Sequence, residues 1–216
     1  MEELVMAYDF KKEQKALYRP GKRPARIDVP QMTYLAVRGS GDPNMPDSEY
    51  QHSIQLLYSL AYTIKMSKMG DYQPANYFDF VVPPLEGFWW QPGVKGVDYQ
   101  HKEKFHFISC IRMPDFVTPD VFQWAVHEAT TKKQLDFSPV ELLPVNEGQC
   151  VQVMHFGPYD DEPATIAKMY QFVEQQSLQL DYSATRHHHE IYLSDPRRTK
   201  PANLKTVIRI PVRSAD

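Results

Sequence analysis

The run His187-His-His-Glu-Ile-Tyr-Leu193 sets a carboxylate, Glu190, among imidazoles and a phenol, and its β-branched and aromatic content reads as a strand. Side chains alternate along a strand, so His188, Glu190 and Tyr192 share one face while His189, Ile191 and Leu193 share the other. Ile191 and Leu193 suit a face packed by a helix, which turns Glu190 toward the opposite, groove-facing side. A carboxylate among aromatic rings is partly desolvated, which raises its pKa; it pairs with a cation or serves as a general base. The competing reading is a solvated charge on an edge strand.

Large rings that could surround this group occur elsewhere in the chain. Trp89 and Trp90 end the run Pro84-Leu-Glu-Gly-Phe-Trp-Trp90, read as a connection just after a strand. Adjacent extended residues point opposite ways, so one indole is expected in a pocket and the other in the core. Tyr192, Tyr159 and Tyr77 each offer a flat face and a hydroxyl; Tyr34 and Phe78 join them, although their faces serve a core equally well. His155, like His106, lies in an apolar strand pattern and reads as packed polar, with His155 kept as a ligand contact. Glu86 is expected to anchor the aromatic connection. Of the triple histidine only His187 and His189 converge, on a face without a carboxylate, so no metal site is expected. Cys110 and Cys150 sit in apolar patterns typical of inert thiols, and no glycine-rich phosphate loop occurs. No cofactor is implied.

Composition narrows the partners. The chain has 216 residues, 42% hydrophobic and 24% charged, with 24 basic and 27 acidic side chains and a formal charge of -3. That balance offers no general field for nucleic acid or an anionic membrane. No apolar run approaches the roughly 20 residues that span a bilayer, and the first residues mix charge into their apolar positions. The 2 cysteines suit the reducing cytoplasm. The partner these facts leave is a small aromatic molecule, bound by a monomer or weak homodimer.

The elements that must position Glu190 recur in order. Residues 1–30, with seven lysines and arginines from Lys11 to Arg26, read as a surface arm. A strand (31–38), a helix (47–68) capped by Asp47 or Ser48, and strands at 76–82 and 105–112 follow. A linker helix spans 119–133, capped by Thr118 with Pro119 in its first turn. Then strand (149–156), helix (162–177) and strands at 188–193 and 204–212 repeat the order. The fold expected is α+β: duplicated strand-helix-strand-strand modules related by a pseudo-twofold, with helices on one face of antiparallel sheets. The modules are 31–113 and 148–213, joined by 114–147 and placed back to back with a ligand groove between them.

The run His189-Glu-Ile-Tyr-Leu-Ser-Asp-Pro-Arg197, with Asn203-Leu-Lys-Thr-Val-Ile-Arg-Ile-Pro-Val212, resembles the C-terminal signature of GyrI-like small-molecule-binding domains. Phe156-Gly-Pro-Tyr-Asp160 resembles the turn that opens their second helix, and the likeness covers 32–212. It implies paired SHS2-type modules with Glu190 in a pocket for cationic or polar parts of flat aromatic ligands. Pro84-Leu-Glu-Gly-Phe-Trp-Trp90 further resembles a free-standing subfamily, the cyclopropanoid cyclopropyl hydrolases, which open cyclopropane-bearing DNA-alkylating compounds in an aromatic cage. In that reading Glu190 and Tyr159 carry the hydrolysis. The alternative is a sensor or sequestering protein without turnover.

Overall fold

A computed structural model describes residues 6–215. Two single-turn helices, α1 (Phe10–Glu13) and α2 (Lys15–Tyr18), lead into β1 (Ala25–Val29), β2 (Met32–Ser40) and α3 (Glu49–Lys65). Next come β3 (Leu85–Trp90), β4 (His106–Arg112), α4 (Pro119–Lys133), β5 (Val140–Val145), β6 (Gly148–Phe156), α5 (Glu162–Gln175), β7 (Leu178–Leu180), β8 (His188–Tyr192) and β9 (Lys205–Ser214). Local chemistry sets the helix starts. The Ser48 and Thr118 side chains accept hydrogen bonds from Gln51 N and Val121 N, and Pro119 occupies the first turn of α4. Leu57, Leu60, Ala61 and Ile64 recur at helical spacing and form the buried stripe of α3.

The nine strands form one antiparallel sheet in the order β1-β6-β9-β8-β3-β4-β2-β5, with β7 paired to β9. The order mirrors itself about the β3–β8 seam: β4, β2 and β5 on one side match β9, β6 and β1 on the other. The edge strands are exchanged, since β1 precedes β2 in sequence yet pairs with β6, and β5 precedes β6 yet pairs with β2. Their registers correspond. Val29 pairs with Gly148 as Met32 pairs with Val145, and Ala25 with Gln152 as Ala36 with Glu141. β2 and β6 are both nine residues long, and each is followed by a glycine at positive φ, Gly41 and Gly157. The halves therefore lie side by side in one sheet rather than back to back, because β3 and β8 hydrogen-bond across the seam.

Two expected elements differ. Residues 76–82 form no ladder strand; Asn76 turns at φ 59°, and only Phe80 bridges to Tyr8. The ring of Phe80 is fully buried and anchors an otherwise irregular segment whose Asn76, Phe78 and Val81 stay exposed. The ladder position belongs to β3, which puts Trp89 and Trp90 inside a strand and not in a connection. The expected surface arm is also part of the fold, although its first five residues lie outside the described ones. β1 pairs with β6, and Phe10, Leu17 and Tyr18 are buried.

That N-terminal segment covers the sheet face opposite α3 and α5. Gln152 donates to Ala16 O at 2.7 Å, Arg209 donates to Leu17 O, and Arg112 donates to Gln14 Oε1 at 2.6 Å. Beneath it lies a fully buried polar network. His189 sits between Glu147 (Nδ1 to Oε2, 2.9 Å) and Glu86 (Nε2 to Oε2, 3.0 Å), and Arg209 Nη1 donates to Glu147 Oε1 at 3.2 Å. The expectation that no carboxylate shares the face of His189 is thus overturned, because strand pairing and the turn before β6 deliver Glu86 and Glu147 from distant sequence. Burial pushes the Glu147 carboxyl up, but His189 and Arg209 outweigh it and hold it at about 2. Burial pushes His189 down, and Glu147 with Glu86 more than reverses this, leaving it raised.

Glu147, depressed from an ordinary 4.5, contributes stability that is present above that value and lost as pH falls toward about 2. His189, raised from 6.5, contributes stability present below that value and lost as pH climbs through its folded value. Glu147→Gln is expected to cost roughly 3–5 kcal/mol at pH 6, since it removes the carboxylate bonded to buried Arg209 and one of the two that hold His189. In urea denaturation the gap to wild type should shrink steadily below pH 4.5; a gap independent of pH would show that the carboxylate is not charged in the fold.

Candidate functional site

Glu190 and Gly87 face each other across the β3–β8 seam. Cross-strand partners share a face, so one row across the sheet reads Val37, Ser109, Gly87, Glu190, Ile208 and Val153. Ile208 and Val153 pack with Ile166, Met169 and Val173 of α5, which fixes this as the helix-bearing face. Glu190 therefore looks up between the helices, while Ile191 looks back toward the N-terminal segment. This reverses the expected assignment of the helix-packed side, because a cover on both faces makes Ile191 no guide to where the helices lie.

Gly87 lets the ring system close on the carboxylate. A Cβ there would fall 2.6 Å from Trp89 Nε1 and 3.1 Å from the Tyr192 hydroxyl oxygen. In the space left free, Trp89 Nε1 donates to Tyr192 Oη at 2.9 Å, and Tyr192 donates to Glu190 Oε2 at 2.8 Å. The other oxygen, Oε1, lies 3.0 Å from His188 Nε2. Tyr99, from the loop between β3 and β4, donates to Glu162 Oε2 at 2.6 Å and lies 3.4 Å from Glu190 Oε1. Gln91 positions that loop: its amide donates to Asp98 O and His101 O and accepts from Asp98 N. Tyr50 of α3 packs on Trp89 at 5.3 Å between ring centroids, with Phe105 and Phe107 each at 5.5 Å, and Tyr159 meets Tyr192 edge-on at 5.6 Å. The result is a carboxylate 7% exposed under an aromatic cage.

Burial alone would raise Glu190, as the sequence suggested, but the His188 and Tyr192 hydrogen bonds prevail and hold it below the usual carboxylate range. Glu162 goes the other way: burial and the neighbouring Glu190 charge hold it well above that range. Tyr192 is likewise raised by burial and by Glu190, so it stays a phenol and a donor. Glu162, His188 and Glu190 bring one potential metal-ligating atom each within 4.8 Å of one another. Their donor set does not fit an ion well. His188 Nε2 faces Glu190 directly, its Nδ1 has no second-shell acceptor among the described residues, and both Glu190 oxygens are already hydrogen-bonded.

The cage unites Glu190, Tyr192, Trp89 and Tyr159. His155 shares their face, one strand beyond β9, but is tied to Thr165 Oγ1 at 2.8 Å and Pro158 O at 3.0 Å and serves the turn before α5. Four expected contacts lie elsewhere. Trp90 has the opposite parity to Trp89 and stacks on His187 at 4.2 Å. Tyr34 is fully buried on the reverse face against Phe88. Tyr77 donates to Lys65 O, and Phe78 packs on Tyr8 and Phe116, because the segment holding them is irregular and not a strand of the site. Tyr50, Tyr99 and Glu162 were missed. Glu162 follows Asp160 and Asp161 and so reads as an ordinary acidic helix start, and nothing local marks Tyr99.

The sequence matches the GyrI-like small molecule binding domain over residues 24–213. The chain belongs to this GyrI-like family. A conserved protein from Listeria innocua is 50% identical, with a TM-score of 0.90, over 95% of this chain and 100% of its own. A hydrolase from Listeria innocua is 48% identical, with a TM-score of 0.86, over 95% and 100%. The EcmrR C-terminal domain, 14% identical with a TM-score of 0.53 over 89% and 98%, shares the fold alone. Curated proteins give no significant match.

In this GyrI-like domain Gly87 is the narrowest point of the site, and Gly87→Ala is expected to displace the Trp89 indole at a cost of about 1–3 kcal/mol. Near-ultraviolet circular dichroism should lose the signal that Trp89→Phe also removes, while the far-ultraviolet spectrum stays that of wild type. Retention of the full near-ultraviolet signal would mean that the indole does not depend on the glycine.

Proposed function

We propose that this GyrI-like protein binds flat hydrophobic or cationic aromatic molecules between α3 and α5 and hydrolyses cyclopropane-bearing DNA-alkylating compounds there. The observation that carries the reading is an ionised Glu190 at the base of an aromatic cage, held by Tyr192 and through it by Trp89. Its charge complements a cationic ligand, and the rings of Trp89, Tyr50 and Tyr159 suit stacking. The 48% identity to a hydrolase over that protein's full length supports turnover. The mirrored strand order supports an internal duplication, with the site on its axis. Two free, buried cysteines suit a cytoplasmic setting, and no helix among the described residues is long and apolar enough to cross a membrane.

In a cyclopropane conjugated to a carbonyl, water attacks the strained ring carbon while a C–C bond breaks and its electron pair flows to the carbonyl oxygen. Glu190 takes the proton from the attacking water. Tyr159, half-buried beside Tyr192 and pushed up to about 12 by burial and the Glu190 and Glu162 charges, remains a phenol and donates a hydrogen bond to the developing phenolate. Stacking fixes the flat substrate so that water approaches from the Glu190 side.

Incubation with a duocarmycin-type cyclopropane compound and mass spectrometry should show a water-added product above the buffer rate. Glu190→Gln should slow it by roughly 10²–10⁴-fold. Binding of the compound without any product would assign a sequestering role instead. Unchanged binding and turnover in Glu190→Gln would remove the carboxylate from the site altogether.

A further inference from the structure

The two faces of the β3–β8 seam bury the same kinds of group with different compensation. Behind the sheet, Glu86 and Glu147 share His189, and Arg209 bonds to Glu147. In front, Glu162 and Glu190 each bring a carboxylate oxygen within 4.8 Å of the other. The other side chains bonded to either are His188, Tyr99 and Tyr192, and among the described residues no arginine or lysine bonds to them. Two carboxylates this close and this deeply buried, with no cation bonded to either, do not both ionise; one proton serves the pair.

Geometry decides where that proton resides. Glu190 is the better solvated of the two, with His188 on one oxygen and Tyr192 on the other. Glu162 is fully buried, receives Tyr99 on Oε2, and leaves Oε1 without a hydrogen-bond partner among the described residues. The groups facing it are Tyr99 from the β3–β4 loop, His188, Glu190 and Tyr192 from β8, and Tyr159 and Asp160 from the turn before α5. Asp160 adds negative charge, and Lys102 donates to Asp160 itself.

We propose that Glu162 is held as a neutral carboxylic acid and is the proton donor of the site, the acid that complements Glu190 as base. Its catalytic half rests on the hydrolytic reading above; its protonation does not. As the cyclopropane C–C bond breaks, the Glu162 O–H bond also breaks and its proton goes to the carbonyl oxygen that has received the electron pair. Glu190 meanwhile gains the proton of the attacking water. The site then holds an ionised Glu162 and a protonated Glu190, and transfer of that proton between the two neighbouring carboxyl groups restores the starting state. Water adds once, and no other reagent is consumed.

Infrared spectroscopy at pH 7 tests the first half without substrate. Wild type should show the carbonyl stretch of a protonated carboxylic acid, and Glu162→Gln should lose it. Absence of that band in wild type, or a stoichiometric divalent metal in the purified protein that is lost in Glu162→Gln, overturns the shared proton. The second half is read with the duocarmycin-type compound. Glu162→Gln should lower kcat roughly 10²–10⁴-fold with KM little changed, and full turnover in this variant overturns the assignment. Tyr99→Phe serves as the conservative partner. Loss of a hydrogen bond that favours ionised Glu162 should move the alkaline limb of the pH–rate profile to higher pH, whereas a purely structural role for Glu162 would leave that limb in place. If wild type makes no product but shows the infrared band, the hydrolytic reading fails while the protonated Glu162 stands.

Discussion

The pairing of β3 with β8 is the contact on which the rest of the molecule depends. It joins the two halves into one sheet and sets Gly87 opposite Glu190. It also stations acidic and imidazole groups on both faces of the same few residues: His188 and Glu190 look forward, and Glu86 and His189 look back. Charges this deeply buried are tolerated only where partners meet them. Each face of the seam must therefore carry its own cover and its own set of partners, and much of the chain's less regular structure supplies them.

On the reverse face the partners come from far away in sequence. Arg209 of β9 and Glu147, from the turn before β6, complete the network around His189, and α1 and α2 seal it through the carbonyls of Ala16 and Leu17. This explains why the first thirty residues misled as a sequence. Their lysines and arginines remain largely exposed and read as a surface arm. Four side chains, Phe10, Leu17, Tyr18 and Val29, carry the burial, spaced too irregularly to announce a helix. The strand expected at 76–82 failed for a related reason. Its aromatic, β-branched content suits either a strand or an irregular segment pinned by one buried ring, and only the competing ladder of Leu85–Trp90 decides between them.

The long helices and most of the ladder were legible, because their apolar periods and caps are local signals. The site was legible where it follows strand parity. Alternation alone placed His188, Glu190 and Tyr192 together and required that only one of Trp89 and Trp90 join them. It could not choose which, since that depends on the register with β8. Tyr34 and Tyr77 carry the same side chain as Tyr99 and Tyr159, and nothing in composition separates them; their difference lies in which strand or loop the fold brings to the seam. Glu162 was invisible for the opposite reason, because a glutamate at a helix start needs no site to explain it.

The contrast between the two faces also bears on why one of them is suited to act. Behind the sheet Glu147 is answered by both Arg209 and His189 and is driven to about 2, so it stays an anion. In front, two carboxylates are stabilised by phenol and imidazole hydrogens instead of a guanidinium, so their charge state is balanced and can change when a cation, a proton acceptor or a polarised carbonyl enters. An arginine in that position would have made the front face more like the reverse one and fixed both carboxylates as anions. The absence of such a partner among the described residues leaves Glu162 and Glu190 free to divide one proton unequally, which is the electrostatic condition for a site that works as acid and base together.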